Sequence, residues 1–376
     1  MDKILMKNLF LFNIVSVVFF VSGCSGLHSI PPASYDENTP KNTIKVFFDQ
    51  WGQVYPKRID TNIDKVSFGF NYGFNIKMYM EQKGISYNAE KTYTELATEI
   101  KKKLKESGEN SKLVFLIHGY NNSYKKASDS FAELKKILKP SKDIIYVEVF
   151  WDGLYKGKYT FPYPLFYWFD SMTYSNLAGQ VGLRKLLNEL DDGADINIIT
   201  HSRGAGVAVS AFSDPKYDSA KYNCDPAKPF DKQKYQVCVP PFESVDKKQF
   251  ARVNLIMIAP AIGRGHQIKQ LKKNMPENSG VYIGFNDNDP ALLKSMLKSN
   301  QFGDTSFGAV NDYYHSISNE VNIDKQWMQR VRYLGYHKHA LNGYLNSTND
   351  DTSCLFWAAN LLDMKPRDCG LSRRGN

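Results

Sequence analysis

From residue 43 onward, short continuous apolar runs alternate with stretches in which apolar residues recur at helical spacing. Ile44 to Phe48 reads as a strand, followed by a second extended stretch around Val66 to Tyr72. Tyr93, Leu96, Ile100 and Leu104 predict a helix over 89–107. Strand and helix then succeed one another: strand 113–117, helix 123–138, strand 144–150, a mostly helical 165–190, strand 196–200, a small-residue helix 203–212, and strands 253–258 and 281–285. This order predicts an α/β fold with a mainly parallel sheet covered by helices on both faces. Two stretches, 213–249 and 300–324, break the rhythm and read as irregular insertions, either surface loops or a lid at the strand ends.

The first residues follow a different rule. Lys3 and Lys7 precede an apolar run from Leu9 to Val21, interrupted only by Asn13 and Ser16. That run is short for a bilayer-spanning helix and reads as the centre of a signal peptide. Val21-Ser22-Gly23-Cys24 then brings small residues up to a cysteine, which resembles the lipobox of bacterial lipoproteins. The resemblance implies removal of residues 1–23, lipid attachment at Cys24 and a membrane-anchored protein of the bacterial cell envelope. Ser25 resembles signals for sorting to the outer membrane. Residues 24–42, with Pro31, Pro32 and Pro40 and no apolar period, read as a lipidated flexible tether, which leaves 43–376 as one folded domain.

Composition narrows the classes further. With 42% hydrophobic and 23% charged residues, disordered and collagen-like chains are excluded. A net charge of +9, spread over dispersed lysines, suits either anionic lipid and envelope polymers or an ordinary basic surface. No basic-aromatic module is visible, so no nucleic-acid partner is expected. Besides Cys24 the cysteines fall into two close pairs, Cys224 with Cys238 and Cys354 with Cys369, which in an exported chain predict disulfides. None has zinc-ligand spacing, so neither a metal nor another cofactor is expected.

The candidate chemistry centres on Ile196-Asn197-Ile198-Ile199-Thr200-His201-Ser202-Arg203-Gly204-Ala205-Gly206. A buried strand runs into a serine among small residues and a helix starts at once. Such a turn lifts a hydroxyl above the sheet edge beside a helix N-terminus that favours developing negative charge. The segment resembles the nucleophile elbow of the α/β-hydrolase superfamily, with Thr200 where the usual motif has its first glycine; a β-branched residue is expected to crowd the turn. Upstream, Leu113 to Ile117 ends in His118-Gly119-Tyr120-Asn121-Asn122. By the same resemblance, the backbone amides of Tyr120 and Arg203 would form an oxyanion hole.

A serine hydrolase also needs an acid and then a base, in that order along this superfamily's chain. The strand 281–285 is followed by Asn286-Asp287-Asn288-Asp289-Pro290-Ala291-Leu292. The Asp-x-Ala-Leu form resembles a subgroup of α/β hydrolases of uncharacterised function and points to Asp289, with Asp287 as alternative; Asp289 also reads as a plain helix cap. Of the later histidines, His315 falls in the 300–324 stretch, while His337 and His339 follow a segment read as helical. A histidine shortly before a tyrosine and a leucine, as in that subgroup, fits His339, with His337 as the alternative base. His118 is expected to support its loop and His201 to pack in the elbow; His266 has no expected role.

The resemblance implies an esterase-like or lipase-like hydrolase acting on small-molecule or lipid esters. A non-catalytic envelope lipoprotein that uses a hydrolase scaffold for binding is the alternative.

Overall fold

The computed structural model describes residues 31–32, 39–57, 75–108, 111–138, 143–154, 163–190, 193–217, 222–223, 235–236, 244–293, 304–322, 327–333, 336–345, 351–363 and 369. The expectations for the signal peptide, Cys24, most of the tether, Val66 to Tyr72, Cys224 and Cys238 lie outside the described residues.

Strand β1 (Thr43–Phe47) is followed by α1 (Ile76–Gln82), whose first turn is capped by the Asn75 side chain accepting from the Met78 amide. Asn88 caps α2 (Ala89–Ser107) in the same way through the Lys91 amide. Tyr93, Leu96 and Ile100 bury the apolar face of that helix. Next come β2 (Lys112–Ile117), α3 (Tyr124–Leu138) and β3 (Ile144–Phe150). The long helical stretch is three pieces: α4 (Tyr163–Leu177), a π-helical segment Ala178–Leu183, and α5 (Arg184–Asn188). Strand β4 (Ala194–His201) leads into α6 (Gly204–Phe212), all nine residues of which are buried. A methyl group on Gly179 would meet the Val207 carbonyl oxygen at 2.2 Å, so the π segment and α6 approach closely enough to require glycine there.

A two-residue parallel pair, β5 (Tyr222–Asn223) and β6 (Tyr235–Gln236), lies within 213–249. The chain closes with β7 (Phe250–Ile258), α7 (Ile268–Asn274), β8 (Gly280–Phe285), α8 (Asn311–Val321), β9 (Met328–Arg332), α9 (Leu341–Leu345) and α10 (Asp351–Ala358).

Seven strands form one sheet in the order β1-β3-β2-β4-β7-β8-β9, and every pairing is parallel. Alternate side chains feed two apolar layers. Phe115, Ile198 and Leu255 face a layer that includes Leu96, Leu187 and Val207; Val114, Ile199 and Ile256 face one that includes Phe131, Tyr344 and Phe356. The connection leaving β2 moves to β3 on one side, whereas the one leaving β4 moves to β7 on the other. The chain therefore diverges at the carboxyl ends of β2 and β4, where open parallel sheets leave a crevice for chemistry.

Two expectations are corrected. From residue 304 the 300–324 stretch is regular: a 3₁₀ turn (Ser306–Gly308) and then α8, which crosses from β8 to β9 with Tyr314, Ile317 and Val321 buried at helical spacing. Polar residues between these positions dilute the apolar pattern. The segment ahead of Tyr333, read as helical, is the edge strand β9, of which only Met328 and Val331 are buried. Their spacing of three imitates a helix because an edge strand need not alternate strictly. Near the end of the chain, Cys354 on α10 is bonded to Cys369, with Cα atoms 5.4 Å apart.

Candidate active site

Strand β4 ends at His201 and α6 begins at Gly204, which leaves Ser202 at the turn. Its φ of +56° is a left-handed conformation that non-glycine residues adopt only when their surroundings hold them there. Three backbone hydrogen bonds do so. The Ser202 amide donates to the Ile258 carbonyl at 3.1 Å, and its own carbonyl accepts from the Ala205 and Ala261 amides, each at 3.1 Å. A Cβ on Gly204 would sit 2.5 Å from the His118 carbonyl oxygen, so the start of α6 presses on the end of β2. Thr200 does not crowd the turn, because it still lies within the ladder, opposite Ile117 and Met257.

The loops after β8 and β9 complete a relay around this serine. His339 Nε2 lies 2.5 Å from Ser202 Oγ, and His339 Nδ1 lies 2.5 Å from Asp289 Oδ2. With Nδ1–H donating to the carboxylate, Nε2 is free to accept the serine proton. Asp289 is fully buried, and its other oxygen accepts from the Ala291 amide at 2.8 Å. One carboxylate thus both caps a turn and faces the imidazole. Burial pushes its pKa up, but hydrogen bonds from His339, Tyr344 and the Ala291 amide, with the His339 charge, hold it below the ordinary carboxylate value.

Asp287 and His337 are not part of this constellation. Asp287 pairs with Arg332 and accepts from Asn288 Nδ2 at 3.2 Å, while His337 is exposed. His315 sits on α8, where its ring lies against Tyr314.

The loop carrying Tyr120 is fixed by its neighbours. His118 donates from Nδ1 to the Gly119 carbonyl at 2.8 Å and accepts the Trp151 amide at Nε2 at 3.1 Å. The Trp151 indole returns a hydrogen bond to the His118 carbonyl at 2.7 Å and stacks on the imidazole. Burial lowers the His118 pKa to about 4, so the ring stays neutral and the arrangement of donor and acceptor holds. Asn122 Nδ2 also donates to the Gly119 carbonyl at 2.9 Å. Tyr120 thus follows a glycine packed against Ser202, and Arg203 is the residue next to Ser202 at the head of α6.

Ser202 itself is only 1% exposed. Aromatic rings crowd the site. Trp168 of α4 meets the His339 ring edge-to-face at 5.9 Å, Tyr120 meets Trp168 at 5.4 Å, and His201 lies 5.0 Å from His339. The buried Arg203 guanidinium lies 4.7 Å from the Trp168 ring centroid and donates to the carbonyls of Ala261 at 2.7 Å and Trp168 at 3.3 Å. Burial lowers its pKa to about 9. The sequence marks Arg203 only through its backbone amide and gives Trp168 no role, since one tryptophan among the aromatic residues that open α4 reads as ordinary core. His201 is buried and held well below the usual histidine range, chiefly by burial. His266 is likewise buried, with its pKa lowered to about 3, and accepts weakly from the Gly263 amide at 3.4 Å.

No curated protein is detectably similar in sequence. Among solved structures, the Bacillus cereus carboxylesterase is 11% identical with a TM-score of 0.32, over 68% of this chain and 91% of its own. The profile of a family described as "Alpha/beta hydrolase of unknown function (DUF900)" matches residues 92–311, a span that holds Ser202 and Asp289 and stops short of His339. With more than half of its length matched, the chain belongs to this family of α/β hydrolases of unknown function.

Proposed function

We propose that the protein is a serine hydrolase that cleaves carboxylic esters through an acyl-enzyme on Ser202. The carrying observation is the pair of 2.5 Å contacts that His339 makes, one with Ser202 Oγ and one with Asp289. His339 Nε2 takes the hydroxyl proton as Ser202 Oγ attacks the ester carbonyl. Asp289 stabilises the imidazolium that results, and the backbone amides of Tyr120 and Arg203 receive the oxyanion. The imidazolium then protonates the departing alcohol, and water deacylates the serine by the reverse proton path. Ester cleavage is favoured over a binding role because a scaffold kept only for binding has no need of a strained serine coupled to a buried carboxylate.

The basic residues, apolar run and Cys24 at the start of the sequence support a lipid-anchored protein of the bacterial envelope, at the outer membrane, acting on small-molecule or lipid esters. The test is a panel of aryl esters of increasing acyl length offered to the wild-type protein and to Ser202→Ala. Turnover that disappears in the variant supports the proposal; equal turnover by both, or none by folded wild type, opposes it.

A further inference from the structure

Asp289 Oδ2 has a second close partner besides the imidazole. The Tyr344 hydroxyl, on α9 and five residues beyond His339, donates to it at 2.5 Å. Asn286 Nδ2 in turn donates to Tyr344 Oη at 2.9 Å. The direction of each proton is determined. Asn286 Oδ1 accepts from the Asn288 amide at 3.0 Å, which turns its Nδ2 toward the tyrosine. With the amide group occupying the phenol's acceptor side, the single hydroxyl proton must point at the carboxylate. Asn286, Asp289 and Tyr344 are all essentially inaccessible to solvent, so no water competes for these bonds.

We propose that Tyr344 is a positioning residue for the relay: its hydroxyl, aimed by Asn286, holds the Asp289 carboxylate ionised and turned toward His339. This rests on the hydrolase reading only in supposing that the relay serves Ser202. Burial and the adjacent Asp289 charge push the Tyr344 pKa well above the ordinary tyrosine value, so it remains a donor across any working pH. The titratable groups that face Asp289 are His339, Tyr344, Tyr336 and His201. His201 stays neutral, so Tyr344 joins His339 and the Ala291 amide as the donors that offset the cost of burying the carboxylate. Edge-to-face contacts with Tyr333 at 4.8 Å and Tyr336 at 4.6 Å keep the Tyr344 ring in place when the hydroxyl alone is removed.

Tyr344→Phe is the direct test, read in two ways on the folded protein: the rate at which a fluorophosphonate modifies Ser202 as a function of pH, and the NMR line of the proton between His339 and Asp289. The first reading is expected to fall about tenfold at neutral pH, as for loss of one hydrogen bond to a buried charge. Its low-pH limb is expected to move up, since a carboxylate that has lost one donor holds the proton on the relay more strongly. The proton line is expected to move. In an Asp289→Asn background the same change should cost less than about twofold, because the carboxylate through which it acts is gone. Asn286→Ala, which keeps the tyrosine but frees its hydroxyl, should act in the same direction. An unchanged rate, limb and proton line in folded Tyr344→Phe would overturn the proposal, as would an equal loss in the Asp289→Asn background. If wild type forms no adduct while the proton line still moves, the hydrolase reading fails and the role of Tyr344 stands.

Discussion

A Cβ placed on Gly119 would lie 2.8 Å from the Cβ of Ser202, closer than real Cβ atoms come to a neighbour. The loop after β2 therefore rests directly on Ser202, and the same Cβ would be 3.0 Å from the His201 carbonyl oxygen, which belongs to rigid backbone. Gly119→Ala should force this loop outward and carry the Tyr120 amide with it. The expected result is a fall in kcat of about a hundredfold, the order seen when one oxyanion donor is lost, with a smaller change in KM. Steady-state kinetics on an aryl ester check this; a folded variant with wild-type kcat would show that the loop does no work on the oxyanion.

The closed surroundings of Ser202 make Trp168 the next test. Its ring meets both His339 and Tyr120, and it is buried against the Arg203 guanidinium. Trp168→Ala should widen the approach to Ser202 and raise the ratio of turnover on long-acyl over short-acyl esters. The lost burial should also lower stability by about 3–5 kcal/mol. Ester turnover at two chain lengths, with urea unfolding alongside, measures both. A ratio that stays the same in a folded variant would remove Trp168 from the wall of the site.

Acid sensitivity follows from the buried histidines. His118 has a pKa of about 4 in the folded chain against roughly 6.5 when unfolded, and the shift of His266 to about 3 has the same sign. Between those values the unfolded chain binds more protons, so stability is complete above about pH 6.5 and is lost as pH falls toward the folded values. Each histidine contributes a slope of about 1.4 kcal/mol per pH unit in that window. His118→Gln should remove its share, seen as a shallower dependence in urea unfolding between about pH 4.5 and 7; an unchanged slope would mean that His118 is not the buried neutral group described.

Much of the architecture was legible because parallel strands buried on both faces read as nearly continuous apolar runs, as in Leu113 to Ile117 and in Ile144 to Phe150, which only Glu148 interrupts. The central turn was legible for a related reason, since only small residues such as Gly204 fit where α6 meets β2. Strand β9 was not, because Met328 and Val331 stand three apart on an edge that needs no alternation. Nor was α8, whose buried Tyr314, Ile317 and Val321 are diluted by polar neighbours. The contacts of Tyr344 and Trp168 join residues distant along the chain, Tyr344 to Asp289 across 55 positions, and no local pattern encodes them. The choice between Asp287 and Asp289 likewise depended on a tertiary partner: Arg332 occupies the first and His339 the second.

The account as a whole turns on a nucleophilic hydroxyl at position 202. Treating the folded protein with a fluorophosphonate and locating the adduct by peptide mass spectrometry tests this most directly. The account predicts one adduct, on Ser202, formed far more slowly in His339→Ala and absent in Ser202→Ala. A folded wild-type protein that forms none, or an adduct that persists in Ser202→Ala, would contradict it.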